Sequence, residues 1–501
     1  MALVPIQDLW VPMSLTILSV AVIWVVIGLL FWAFYRFKGN SKAIERSAIA
    51  VSWATTTFFV FGQLRGPLYN AQLIPSTDIS PNFMLSAWIV LAVPTAIALS
   101  WKSKLNSYIT KFFNIASLFL VLAVGCTLIS GWWGIRQSLS NLDQQTSQNI
   151  SSSTVSKPDV FYIILDGYGR ADQLKRIFSY DNSQFVNALT SRGFYVADRA
   201  HSNYCQTELS LASTLNMEFV QSSKVGSNPD ETSRAGLDYL IDQSKAASTF
   251  RKYGYRYIAV PTGFPSLQFS SADLIYQYSQ GATLFESSYL SFLPIPPPPK
   301  FKESQFEDRR LTLLSAFEHL KELAKPAAAP RFVVAHILMP HPPFVFGPKG
   351  EPIRAAKIFG YWDGSHYMEF VGDEASYSAG YIGQLQYLNT KIIEVVDRIK
   401  KASNGKAVIL IQGDHGSKVR LDQESLAKTD PFECFSNLSA YLVPVSVESK
   451  LYPSITPVNS FRVVLNGLFG SQLPLLKDQS WYSSWSKPFQ FEDVTAVLKN
   501  K

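Results

Sequence analysis

Apolar residues fall along this chain in two patterns. Up to about residue 136 they form long unbroken runs, and from about residue 157 they form short runs separated by helical spacings. The long runs are Pro12 to Tyr35, Ser47 to Leu64, Phe83 to Trp101 and Phe112 to Trp133. The first carries no charge and is long enough to cross a bilayer. The second is shorter and contains Ser and Thr. The third contains Pro94, which a spanning helix tolerates. Together they predict a membrane domain of four transmembrane helices over residues 1–136.

Residues 137–156 read as a linker, since Asn141 to Ser156 is rich in Gln, Ser and Asn with no apolar period. The run Asp159-Val-Phe-Tyr-Ile-Ile-Leu165 then has the character of a strand buried on both faces. Similar runs recur at Tyr255 to Val260, Arg331 to Leu338 and Ala407 to Ile411, with helical patterns between them such as Tyr381 to Lys400. Strands alternating with helices predict an α/β domain over residues 157–501, built on a central mixed sheet. Pro294 to Pro299 and Ala324 to Pro330 read as connectors, and Lys349 to Ser378 as a long loop beside an active site. There is no internal repeat.

Charge orients the membrane part. Arg36, Lys38, Lys42 and Arg46 lie between the first two runs, and Lys102, Lys104 and Lys111 between the last two. The positive-inside rule places both basic loops in the cytoplasm, so both termini and the α/β domain are extracytoplasmic. If the second run does not span, three helices remain and the domain falls inside. The first run is too long for a cleaved signal and lacks a basic start. The net charge of +7 in 501 residues then reflects the membrane flanks, and no basic stripe interleaved with aromatics suits a nucleic acid. The cysteines stand at 126, 205 and 434. The first lies in an apolar run; Cys205 and Cys434 are compatible with one disulfide or none. Asn149-Ile-Ser and Asn437-Leu-Ser fit a glycosylation pattern that matters only in a eukaryotic secretory route.

Ligands in α/β sheets gather at the carboxyl ends of strands. Asp166 follows the first strand, and Asp414-His415-Gly416 follows the run Val-Ile-Leu-Ile-Gln-Gly. Between them, Thr207 opens an amphipathic segment whose apolar face is Leu209, Leu211, Ala212 and Leu215. Thr is a favoured helix cap, and that alone explains it. A helix start is also an anion site, and a hydroxyl there can attack phosphorus or sulfur once a metal lowers its pKa. Asp166, Thr207, Asp414 and His415 make a mixed oxygen and nitrogen ligand set suited to zinc, or to magnesium, manganese or calcium. An Asp after a strand is otherwise a common turn former. His341, between prolines in Met339-Pro-His-Pro-Pro-Phe344, is a candidate to bind an anionic oxygen or protonate a leaving group. His336 reads as a packed strand residue, His201 and His366 as surface loop residues, and Lys418 and Arg420 either as solvated charges or as holders of an anionic group.

The order Ile-Ile-Leu-Asp166-Gly, Thr207-x-x-Ser210, His341-Pro-Pro-Phe and Gly-Asp414-His415-Gly resembles the sulfatase branch of the alkaline phosphatase superfamily over about residues 157 to 450. The Cys-x-Pro-Ser-Arg motif of ordinary sulfatases falls on Thr207-Glu-Leu-Ser210-Leu211, so the nucleophile slot is Thr and the Arg slot is Leu. Cys205 lies two residues too early for the role. A Thr nucleophile behind several membrane spans is similar to the lipoteichoic acid synthases and the lipid A phosphoethanolamine transferases. The resemblance implies metal binding by Asp166, Thr207, Asp414 and His415, a phosphorylated Thr207, and His341 at the phosphate or leaving group, with Ser210 and Lys418 near the substrate. The chain departs from those families at Gly167, where a second acid is usual. It also lacks a further His soon after Asp-His-Gly and a disulfide-rich domain.

The expectation is a metal-dependent, membrane-bound transferase of a phosphoethanolamine-type or phosphoglycerol-type head group, with a lipid donor and a glycan or lipid acceptor. A sulfate or phosphate ester hydrolase and a scaffold that kept only the fold are the alternatives.

Overall fold

The computed structural model describes residue 94 and residues 157–264, 267, 269–276, 299–353 and 359–499. The four apolar runs, Cys126 and the linker therefore lie outside the described residues, Pro94 apart, as does most of the Pro294 to Pro299 connector. Among the described residues no helix is long and apolar enough to cross a membrane.

In chain order the strands are β1 (Val160–Leu165), β2 (Tyr195–Val196), β3 (Arg256–Pro261), β4 (Leu274–Ile275), β5 (Arg331–Ile337), β6 (Val408–Gly413), β7 (Ser439–Leu442), β8 (Trp481–Tyr482) and β9 (Glu492–Asp493). The helices are α1 (Ala171–Phe178), α2 (Ser183–Thr190), α3 (Thr207–Asn216), α4 (Ala235–Asp242), α5 (Lys245–Lys252), α6 (Pro299–Leu323), α7 (Gly364–Phe370), α8 (Glu374–Ala402), α9 (Pro431–Phe435), α10 (Val445–Glu448), α11 (Pro457–Phe469) and α12 (Thr495–Lys499). The predicted strands appear with ends moved by a residue or two. The stretch read as one long loop at 349–378 contains α7 and the start of α8. There Asp373 and Ser376 form a reciprocal cap that the reading by apolar period missed.

Seven of the described strands form one mixed sheet in the order β2-β7-β6-β1-β5-β3-β4. β1 runs parallel to both β5 and β6, and β7 is antiparallel to β6. All six residues of β1 are buried, and they alternate between two apolar layers. Phe161, Ile163 and Leu165 pack with Leu385, Leu388, Ile392 and Val396 of α8. Val160, Tyr162 and Ile164 pack with Leu209 and Leu215 of α3 and with Phe461 and Val464 of α11. Each such side chain contributes about 1.5–3 kcal/mol on leaving water, so the sheet is held from both faces. Cover on both faces is also why these strands read as continuous apolar runs.

The register decides where chemistry can gather. Leu165 pairs with Ile337 of β5 and with Gly413 of β6, so the three central strands end level. The residues that follow, Asp166, Leu338 and Asp414, emerge at one edge.

Candidate active site

Three buried side chains converge at that edge. One ligand atom from each of Asp166, Asp414 and His415 lies within 4.8 Å of the others, the one such group of acids, cysteines and histidines among the described residues. Asp414 Oδ1 accepts the backbone N–H groups of Gly167, at 2.9 Å, and of His415, at 3.0 Å. Gly167 makes the tight turn at φ +72°, a conformation that favours glycine. A Cβ on Gly416 would collide with the Glu433 carbonyl oxygen, so Asp-His-Gly owes its glycine to close packing of the loop on α9.

Hydrogen bonding fixes the His415 ring. Its Nδ1 faces the Gly416 carbonyl at 2.8 Å and must carry the proton, which leaves Nε2 as a bare acceptor. Nε2 points to Asp414 Oδ2 at 3.2 Å and to Asp166 Oδ1 at 3.6 Å. Both oxygens are buried and without a hydrogen-bond partner. Burial lowers the pKa of His415, so the ring is neutral and has no proton to offer them. Lone pairs facing lone pairs in a buried site repel unless a cation stands among them. The residues present therefore fit a divalent metal.

Thr207 is the first residue of α3, and the cap position belongs to Gln206, whose side chain makes no capping bond. Simple N-capping thus does not account for Thr207. Its Oγ1 lies 3.2 Å from His415 Nε2 and 3.5 Å from Asp166 Oδ2, which directs the hydroxyl into the metal cluster. Every residue of α3 is buried. The Ser210 hydroxyl, expected near the substrate, donates to the Asp414 carbonyl at 2.6 Å and so ties the first turn of α3 to the ligand loop.

A second group of charges adjoins the first. His341 Nε2 meets Asp363 Oδ2 at 3.2 Å, and Lys418 Nζ meets the same oxygen at 2.9 Å. Gln423 donates to Asp363 Oδ1 at 2.6 Å. Lys418 is only 6% exposed, so the surface reading of this residue fails, whereas Arg420 does lie at the surface beside Glu374. Glu433 shapes the loop that carries Lys418, accepting from the Ser417 hydroxyl and from the Val419 and Arg420 N–H groups. His341 Nδ1 lies 2.5 Å from the Pro342 carbonyl, so both ring nitrogens have partners.

His336 packs in β5 as expected, and it also places Nε2 3.1 Å from Asp166 Oδ2. Arg309 of α6 is buried and donates to the Thr262 and Leu338 carbonyls at the ends of β3 and β5. His201 stands apart against Arg170 and Ser436, and His366 against Phe370. Cys205 and Cys434 are both buried and free.

The charges support one another. Burial works to raise the Asp166 carboxyl, but the charge of His341 and the hydrogen bond to His336 outweigh it and hold Asp166 below the usual carboxylate range. At Asp363 burial is likewise outweighed, by Lys418 and His341. Burial works against the charged forms of His341 and Lys418, yet neighbouring carboxylates raise both.

Asp363 is the residue that sequence reasoning missed, and nothing in its Trp-Asp-Gly surroundings marks it.

No family model and no curated protein matches the chain. Solved structures do resemble it. They include the C-terminal periplasmic domain of EcEptC from Escherichia coli in complex with zinc, at 12% identity and a TM-score of 0.44, with 69% of this chain and 95% of that chain covered. The integral membrane lipooligosaccharide phosphoethanolamine transferase A (EptA) from Neisseria meningitidis is similar at 12% identity and a TM-score of 0.38, with 84% of this chain and 83% of that chain covered. A protein in the alkaline phosphatase superfamily from Vibrio parahaemolyticus is similar at 11% identity and a TM-score of 0.39, with 70% and 81% covered. These likenesses are distant, and the functional reading rests on the residues.

Proposed function

We propose that this chain is a metal-dependent, membrane-anchored transferase that moves a phosphoethanolamine-type or phosphoglycerol-type head group from a lipid donor to a glycan or lipid acceptor through a phosphorylated Thr207. The observation that carries the reading is the Thr207 hydroxyl, turned away from capping and into the cluster of Asp166 and His415. Asp166, Asp414, His415 and Thr207 would hold a divalent metal, zinc as first choice, which would lower the pKa of the Thr207 hydroxyl and neutralise charge on the phosphoryl oxygens.

The chain's own residues perform the rest. The start of α3 orients Oγ1 towards the phosphorus, and its N–H groups favour the anionic group. In the first half-reaction the Oγ–P bond forms and the bond from phosphorus to the lipid alcohol oxygen breaks. The Thr207 proton leaves by way of Asp166 Oδ2, and the leaving oxygen takes a proton from the cluster of His341, Asp363 and Lys418. In the second half-reaction an acceptor hydroxyl attacks phosphorus and the Oγ–P bond breaks. Thr207 regains its proton, and the acceptor's proton restores the cluster. A membrane anchor raises the local concentration of a lipid donor.

The test is intact mass of the full-length protein in detergent, with zinc and mixed phospholipids, beside Thr207→Ala. A phosphorus-containing adduct on Thr207, absent from the variant, is the expected result, and its mass identifies the head group. Full activity in Thr207→Ala sinks the proposal. Ester hydrolysis on bound metal without an adduct favours a hydrolase. Absence of both metal and adduct favours a scaffold, a reading against which the two unpartnered carboxylate oxygens already stand.

A further inference from the structure

Asp363 enters the proposed reaction only as a member of a charged cluster, yet its placement is specific. It sits at the cap position of α7 without capping it. One carboxylate oxygen is held by Gln423, and the other is shared between the Lys418 ammonium and the His341 imidazole. All three charged groups are at least nine-tenths buried. His341 has both ring nitrogens engaged. Lys418 carries three N–H donors, and Asp363 takes one of them. Among the described residues, the free donors of this cluster therefore belong to Lys418.

After Asp363, the carboxylates whose charge Lys418 feels most are Asp166 and Asp414. These are the candidate metal ligands. An ammonium on a flexible four-carbon stem, released from Asp363 inside a buried site, would turn to them as the remaining counter-charges. It would then compete with the metal and lose its place beside the substrate.

We propose that Asp363 is a positioning residue: it holds the Lys418 ammonium away from Asp166 and Asp414 and presents its two remaining donors to a phosphoryl oxygen. This inference rests on the proposed metal-dependent phosphoryl chemistry and assigns Lys418 as the anion holder of that site.

The experiment measures zinc affinity of the full-length protein in detergent by competition with a chromophoric chelator, and binding of inorganic phosphate to the zinc-loaded protein by calorimetry. Asp363→Asn, Lys418→Met and the double variant are compared with the unmodified chain. Asp363→Asn is expected to weaken zinc binding on the order of tenfold or more, as loss of a supporting residue around metal ligands does. Lys418→Met is expected to leave zinc binding within about threefold and to weaken phosphate at least about tenfold, the worth of a charged hydrogen bond. In the double variant the lysine that would invade the metal ligands is gone, so zinc affinity should return to that of Lys418→Met. Unchanged zinc binding in Asp363→Asn overturns the proposal, and so does a double variant as weak as Asp363→Asn. Should Asp363→Asn not fold, Lys418→Met decides alone, and unchanged phosphate binding there overturns it. The Thr207 adduct is measured on the same protein. Coupling without an adduct sinks the transfer reading alone, whereas an adduct without coupling sinks only the role of Asp363.

Discussion

Two sets of buried carboxylates lie side by side in this molecule, and they are satisfied in opposite ways. Asp166 and Asp414 each leave one oxygen without a hydrogen-bond partner, facing a ring nitrogen that has no proton to give. Asp363 has both oxygens engaged by an amide, an imidazole and an ammonium. The first set makes sense around a cation from outside the chain, and the second brings its own cations. One half of the site therefore depends on loading, while the other is built by folding.

The comparison breaks most directly at the nucleophile. Thr207→Ala should lower turnover by about 10⁴-fold or more in steady-state assays, because it removes the group proposed to form the covalent bond. Thr207→Ser should retain an adduct by mass. Equal rates for Thr207→Ala and the unmodified protein would detach the hydroxyl from the chemistry.

Metal removal should act on the unsatisfied half. Zinc at a thousandfold over its Kd adds about 4 kcal/mol, so chelation should lower the melting temperature by roughly 10 °C in calorimetry, reversed by zinc. Asp414→Asn should cancel that zinc response and leave the metal-free protein no less stable, since the amide oxygen can still accept the Gly167 and His415 N–H groups and only the unpartnered oxygen is replaced. A zinc response that persists in Asp414→Asn would place the metal elsewhere. The self-satisfied half should behave in the reverse manner. Asp363→Ala should destabilise the metal-free protein by about 3 kcal/mol in denaturant titration, because it removes the counter-charge shared by two buried groups and leaves the His341 ring without its carboxylate.

Glu433 sharpens the same contrast through pH. Burial pushes its carboxyl up to about 7 from 4.5, against three donors that pull the other way. A raised folded pKa contributes stability fully present below about pH 4.5 and lost as pH rises through about 7. The loss should not exceed about 3 kcal/mol and should vanish in Glu433→Gln, read as stability against pH. The smallest effect belongs to Arg420. Its exposed pair with Glu374 should be worth under about 1 kcal/mol, and Arg420→Ala should leave phosphate binding alone.

Legibility in the sequence follows the same division. Asp166, Thr207, Asp414 and His415 stand where local rules put them, after buried strands or at a helix start, and the level ends of β1 and β6 bring them together. The α/β class and the apolar strands were readable because cover on both faces leaves continuous apolar runs. Asp363 was not readable, because its role comes from a loop folded against residues 22 and 55 positions away in sequence. Lys418 and Arg420 looked alike in sequence, and only the turn of the loop on Glu433 sends one inward and the other out. His336 was placed correctly in its strand, but a strand position does not reveal which carboxylate lies across from it.

The bond from the Ser210 hydroxyl to the Asp414 carbonyl limits how such a chain can diverge. It locks the register of the helix that carries the proposed nucleophile to the loop of Asp414 and His415 within a single turn. A one-residue insertion or deletion between Thr207 and Ser210 would rotate the Thr207 oxygen by about 100° about the helix axis, since an α-helix turns once in 3.6 residues. Point changes elsewhere in the buried helix can be repacked, but a change of length there has no small repair. The Thr-x-x-Ser spacing is therefore a feature that descendants of this chain can lose only together with the activity.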